Sequence, residues 1–169
     1  MFRIEAPAVG GLAILRRPRA NSWLEDNVAG WRAQGIDSVL CLLESEELAE
    51  LGLKNEAGMC EGIGLEFGSF PIPDRGVPPS VEDAGRLACA LAMQLQCGRN
   101  IGVHCLAGIG RSGLMTACVL VVLGVEPPAA FEAINKARGL LVPDTEEQRE
   151  WVYTFHACML PTQRRHPRD

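Results

Sequence analysis

The stretch "HCLAGIGRSG", His104 to Gly113, brackets five uncharged residues between one cysteine and one arginine. Cys105 carries a thiol that becomes a nucleophile once deprotonated, and Arg111 carries a permanent cation with a planar fork of N–H donors. Between them Leu106, Ala107, Gly108, Ile109 and Gly110 are enough chain to wrap one phosphate. Glycines there permit the positive φ angles that turn successive backbone N–H groups inward as an anion nest. A helix starting near Arg111 would add the partial positive charge of its N-terminus. Arg111 could then grip two phosphate oxygens. The same field would stabilise a thiolate, moving its pKa from about 8.5 into the range of roughly 3.5–7.5. A nucleophile on the floor of such a cradle implies attack on phosphorus and a cysteinyl-phosphate intermediate. A Walker-type loop is excluded, because no lysine follows the glycines.

The spacing alone carries little weight. "CMLPTQR", Cys158 to Arg164, has the same cysteine-to-arginine interval but no glycine within it, and it runs from the end of a helical pattern into a charged tail. Cys105 is set apart by its neighbours: "NIGVHC" reads as a short buried strand and "RSGLMTACVLVVLG" as a helix apolar on nearly all sides.

The elements that must hold this loop follow an alternating order. "FRIEA" and "GLAIL" flank a turn and predict an opening hairpin. Ser22 is placed to cap a helix ending at Gly35, and "IDSVLCLL" reads as a buried strand. Short helices are expected over residues 45–51 and 55–62, then a strand in "LEFGSFPI" feeding the irregular loop "PIPDRGVPP". Ser80 and Asp83 form a capping-box-like start to a helix of about eighteen residues. "PPAAFEAINKARG" has Pro at its start and Gly at its end, and a last helix covers about 145–160. The pattern predicts one α/β domain over residues 1–169, with a partly parallel sheet of about four or five strands flanked by helices. Ligands of such sheets lie off the carboxyl ends of the strands, where the Cys105 loop falls.

Composition narrows the function. A net charge of -5 argues against general attraction to nucleic acid or anionic membranes. No apolar run reaches the length of a membrane span, and the N-terminus has the wrong order of charges for a signal peptide. Seven cysteines without a CxxC pair argue against a disulfide framework and favour the reducing cytoplasm. The three histidines are scattered, so no metal or cofactor is expected. Nothing bears on the oligomeric state.

"HCLAGIGRSG" resembles the His-Cys-x5-Arg-Ser signature loop of the cysteine-dependent protein tyrosine and dual-specificity phosphatases. The order of elements from about Gly35 to Phe155 is most similar to compact dual-specificity enzymes of the kinase-associated phosphatase type. The resemblance implies a general acid on a loop about thirty residues before the cysteine, and Asp74 in "FPIPDRGVPP" stands 31 residues before Cys105. It implies that Ser112 eases departure of the thiolate, that His104 helps fix the loop, and that Gln148 positions the hydrolytic water. It also allows a reversible disulfide between Cys41 and Cys105. The uncharged cradle favours a phosphomonoester such as phosphotyrosine or phosphoserine/threonine in a protein. The resemblance further implies a shallow pocket and dual specificity, because the sole tyrosine, Tyr153, falls in the last helix and the chain lacks the tyrosine-bearing loop that deepens the pocket of dedicated phosphotyrosine enzymes. Arg16, Arg17, Arg19, Trp23 and Arg75 are candidates for the rim. The alternatives are a non-protein phosphate ester (phosphoinositide, nucleotide or sugar phosphate) and a phosphate-reading binding module.

Overall fold

The computed structural model describes residues 1–159. The basic tail "QRRHPRD", and with it Arg164 of the second cysteine-to-arginine interval, lies outside the described residues. The elements run β1 (Phe2–Ile4), β2 (Leu12–Ile14), α1 (Ser22–Ala33), β3 (Ser38–Cys41), α2 (Ser45–Glu50), α3 (Glu56–Gly62) and β4 (Glu66–Ser69). They continue with α4 (Val81–Gln96), β5 (Ile101–His104), α5 (Gly110–Val122), α6 (Pro127–Arg138) and α7 (Glu146–Met159). The expected α/β architecture is present, with five strands in the order β1-β2-β5-β3-β4. Only the opening hairpin β1–β2 is antiparallel; β2, β5, β3 and β4 pair in parallel.

Strand β5 lies at the centre because both of its faces are covered. One face packs Leu12, Ile14, Leu40, Leu42, Ile101 and Val103 against α4 to α7. Within that layer every residue of α5 from Arg111 to Val121 is buried, as its apolar sequence predicts. The other face packs Ala13, Leu15, Val39 and Cys41 against Leu24, Val28 and Trp31 of α1 and Cys60 of α3. Two caps follow the sequence: Ser80 accepts from the Asp83 N–H at the start of α4, and Gly139 closes α6 in the left-handed conformation. One does not. Asn21, not Ser22, precedes α1, and its side chain makes no capping hydrogen bond. The chain enters α1 there with a φ of 59° and a ψ of -137°, a positive-φ conformation outside the left-handed helical region.

A charged pair sits behind the sheet. His104 Nε2 lies 2.7 Å from Glu56 Oε1, and both side chains are completely buried. Burial alone would keep the imidazole neutral. Contacts with the Cys41 sulfur and the Glu56 carboxylate outweigh it and push the His104 pKa up to about 10. The scattered histidines gave no hint of this cluster, in which ligating atoms of Cys41, Glu56 and His104 all lie within 4.8 Å of one another.

Because the folded pKa of His104 exceeds its unfolded value of about 6.5, the pair stabilises fully below that pH and loses its contribution as pH rises toward 10. Glu56→Gln should lower the unfolding free energy by about 3–5 kcal/mol near pH 6. Urea titrations across pH should show the gap to wild type narrowing in alkaline solution; a gap independent of pH would contradict the charged pair.

Candidate active site

Three parallel strands deliver their following loops to one edge of the sheet. The loop after β5 carries Cys105 to Ile109, the loop after β3 leads into α2, and the segment after β4 carries Ile72 and Asp74. Their meeting point is a cleft of about 210 Å³ lined by Cys105, Leu106, Ala107, Ile109, Gly110 and Arg111, with Asp74, Arg75, Asp144 and Gln148 around it. Of the five cradle residues only Gly108 does not line the cleft. Its φ of 68° makes the turn, and its N–H donates to Cys105 Sγ at 3.3 Å.

Cys105 is buried with the thiol on the cleft floor. Burial pushes its pKa up. The Ser112 hydroxyl, the N–H groups of Ser112 and Gly108, and the Arg111 charge more than offset this and hold the thiol below its ordinary range. Ser112 is itself buried, and among the described residues its hydroxyl makes no geometrically formed hydrogen bond, so it acts on the sulfur by proximity. Gly110 opens α5 under close approach: a Cβ there would lie 2.8 Å from Gln148 Oε1.

Arg111 is almost completely buried. Its Nη1 donates to Glu47 Oε2 at 2.6 Å and to the Ile72 carbonyl at 3.0 Å, and its Nη2 donates to Glu47 Oε1 at 2.9 Å. The same Nη2 lies 3.1 Å from Asp74 Oδ1. Glu47 is the residue of the candidate site that sequence reasoning missed. It is fixed in the first turn of α2 by a reciprocal capping arrangement with Glu44, whose N–H donates to Glu47 Oε2 at 2.9 Å. Burial raises the Glu47 pKa, but Arg111 and the Glu44 N–H outweigh that and keep the carboxyl below its usual value. The available signal was "ESEEL", an acidic turn directly after the strand that pairs with β5.

Asp74 is exposed at the mouth, beside Arg75, which crosses to Asp144 at 3.0 Å. Gln148 is fully buried rather than lying on an outer helix surface. Its Nε2 donates to the Gly76 carbonyl at 2.8 Å, and its Oε1 accepts from the N–H groups of Asp144 and Thr145 at 3.2 and 3.3 Å. It therefore ties the start of α7 to the Asp74 loop. His104 immediately precedes Cys105 but points to the opposite face of the sheet. Of the rim candidates, Arg75 lines the cleft, Arg16 and Arg17 line a neighbouring groove, and Arg19 packs over Trp23, both outside the cleft lining.

A Cys41–Cys105 disulfide, which the resemblance allows, conflicts with the register. Cys41 pairs with His104 across β3 and β5, so those two side chains share a face. Cys105, one residue on, turns to the other. Cys41 belongs to the layer with α1 and α3, and Cys105 to the layer with α4 to α7.

Comparison with known proteins places this arrangement. A family model described as "PTP-SAK: Swiss Army Knife protein, DSP-PTPase phosphatase domain" matches residues 9–164. The cyclin-dependent kinase inhibitor 3 of Rattus norvegicus is 28% identical over 126 residues, covering 73% of this chain but 59% of that protein. The chain thus spans about three-fifths of the length of that relative. A probable protein tyrosine phosphatase type IVA A of Dictyostelium discoideum is 30% identical over 79 residues, covering 46% of this chain and 48% of that protein. Among solved structures, kinase associated phosphatase, crystallised with its catalytic-site cysteine replaced by serine, superposes with a TM-score of 0.85 at 20% identity, covering 93% of both chains. The active form of Tk-PTP superposes with a TM-score of 0.72 at 26% identity, covering 88% of this chain and 94% of that one. With the model matching nearly the whole length, the chain belongs to the dual-specificity branch of the cysteine-dependent protein tyrosine phosphatase superfamily.

Proposed function

We propose that this chain hydrolyses phosphomonoesters of proteins, both phosphotyrosine and phosphoserine/threonine, through a cysteinyl-phosphate intermediate. The observation that carries the reading is the Cys105 sulfur, its pKa lowered, on the floor of a nest whose other wall is Arg111. The substrate phosphate occupies the cradle formed by residues 106–111, held by backbone N–H groups and the guanidinium. Cys105 thiolate attacks phosphorus, the S–P bond forms, and the P–O bond to the leaving group breaks.

Asp74 gives its proton to the departing oxygen. Because Asp74 and an arriving phosphate compete for the same Arg111 nitrogen, substrate binding releases the carboxyl toward the leaving group. Glu47 stays behind Arg111 and keeps the fork aimed at the cradle. In the second step water attacks phosphorus, Asp74 takes its proton, and the thiolate leaves, stabilised by Ser112. Gln148, fixed beside Gly110, supports the placement of that water. His104, paired with Glu56 behind the sheet, is a positioning residue for the loop. A reducing, cytoplasmic setting belongs to this reading, because seven cysteines without a CxxC pair do not form the pattern of a disulfide framework.

Phosphate release in the presence of chelator should fall to background in Cys105→Ser on phosphotyrosine and phosphothreonine peptides alike. Asp74→Asn should reduce kcat by about 10²–10⁴-fold with substrate binding retained. Turnover by Cys105→Ser, or activity confined to a phosphoinositide, would overturn the reading. Ser112→Ala should move the pH midpoint of Cys105 alkylation by iodoacetamide upward; an unmoved midpoint would remove Ser112 from the stabilisation of the thiolate.

A further inference from the structure

Behind the sheet, on the side away from the cleft, three side chains able to ligate a metal meet. Cys41 closes β3, His104 closes β5 in register with it, and Glu56 opens α3. All three are buried, none more than 1% exposed. Their ligating atoms lie within 4.8 Å of one another. Trp31 covers the imidazole, with ring centroids 5.8 Å apart.

The cluster is short of hydrogen bonds. His104 Nε2 and Glu56 Oε1 approach to 2.7 Å, a contact of opposite charges whose angles do not make a hydrogen bond. Among the described residues, neither oxygen of Glu56 and neither ring nitrogen of His104 has a hydrogen-bond partner. Groups buried so deeply are costly when left unpaired, and the attraction of two charges does not answer their remaining lone pairs and N–H groups. A bound ion would.

We propose that Cys41, Glu56 and His104 form a structural zinc site that ties β3, α3 and β5 together behind the cradle. A thiolate and an imidazole suit zinc, whereas calcium and magnesium take oxygen ligands. The thiolate and the carboxylate carry two negative charges, so the dication is neutralised inside the cluster and no net charge is buried. Both oxygens of Glu56 are free to chelate, which brings the donor atoms to four. Donors around one tetrahedral zinc stand about 2.0–2.3 Å from the metal and so roughly 3.3–3.8 Å from one another. Side-chain shifts of about 1 Å would open the His104–Glu56 contact and close the widest gap to those spacings. Ligation uses the neutral imidazole and the thiolate, so the protons of His104 and Cys41 pass to solvent. In the metal-free chain the imidazolium–carboxylate pair takes the ion's place. The site does not open to the cleft, so zinc there adds stability and leaves the chemistry to Cys105.

The test uses the full chain carrying Cys105→Ser, so that the thiolate of the cleft does not compete for metal. After incubation with zinc and gel filtration, elemental analysis should find about one zinc per chain. X-ray absorption at the zinc edge should show one sulfur at about 2.3 Å and the other donors, nitrogen and oxygen, at about 2.0–2.2 Å. Free zinc about a hundredfold above its Kd should raise the Tm by roughly 5–10 °C. Adding Cys41→Ala should remove the sulfur shell and most of the rise in Tm. Cys41→Ser, closer in volume to cysteine, replaces it if the alanine variant does not fold. Failure to retain zinc would overturn the site, as would a shell with no sulfur or with more than one. A sulfur shell that persists in the Cys41 variants would place the metal on another thiol, such as the exposed Cys97 or Cys158, and overturn it as well. Zinc retained only when Cys105 is intact would place it in the cleft, with the same consequence.

Discussion

The site depends on one buried cation. Arg111 has left water almost entirely, and a guanidinium in that position is tolerable only when its N–H groups are engaged. Glu47 takes two of them, the Ile72 carbonyl a third, and Asp74 a fourth. These partners come from the first turn of α2, which follows β3, and from the segment after β4, while Arg111 lies in the first turn of α5 after β5. A single side chain therefore bonds three separate connections into one rigid mouth. Its requirement for partners is what fixes their distances. The same guanidinium favours a thiolate at Cys105, so the residue that organises the mouth also tunes the sulfur on its floor.

The strand order explains why those connections can meet. Parallel pairing of β5 with β3, and of β3 with β4, sends every following loop to the same edge of the sheet. The helices return on the two faces and leave that edge open. The apolar α5, buried along nearly its whole length, anchors the cradle from behind and aims its N-terminus at the anion position. An antiparallel β3 would have delivered Glu47 to the opposite end of the molecule, far from Arg111.

How much of this was legible in the chain depended on whether the information was local. The cradle, the opening hairpin, the capped start of α4 and the buried α5 are each written in a dozen neighbouring residues, and each is present. The partners of buried charges are not local. Glu47 and Glu56 look like ordinary acids of short helices until pairing in the sheet brings them under Arg111 and His104. Arg138 closes an exposed-looking helix end, and only the packing of α6 on β1 sets it against Gly108. The facing of Cys41 was hidden for a different reason. In "SVLCLL" every residue is buried, so no alternation of polar and apolar positions reveals which side chains share a face. Register against β5 decides it, and register is a tertiary fact.

That alternation along β5 has a consequence for how the protein divides its work. His104 and Cys105 are neighbours in sequence, yet one faces the α1–α3 layer and the other the α4–α7 layer. Behind the sheet, a buried imidazolium is held by Glu56 in a pair with no opening to the cleft. In front, a buried thiol is held by the nest, Ser112 and Arg111. The backbone between the two residues is common to both. The rear pair secures the end of the strand from which the cradle springs, and it contributes almost no net charge to the front. Conformational anchoring and chemical activation are thus carried by different charges on opposite sides of one peptide unit. A change that loosens the anchor acts on the cradle through its geometry, whereas a change in the nest acts on the sulfur through its field.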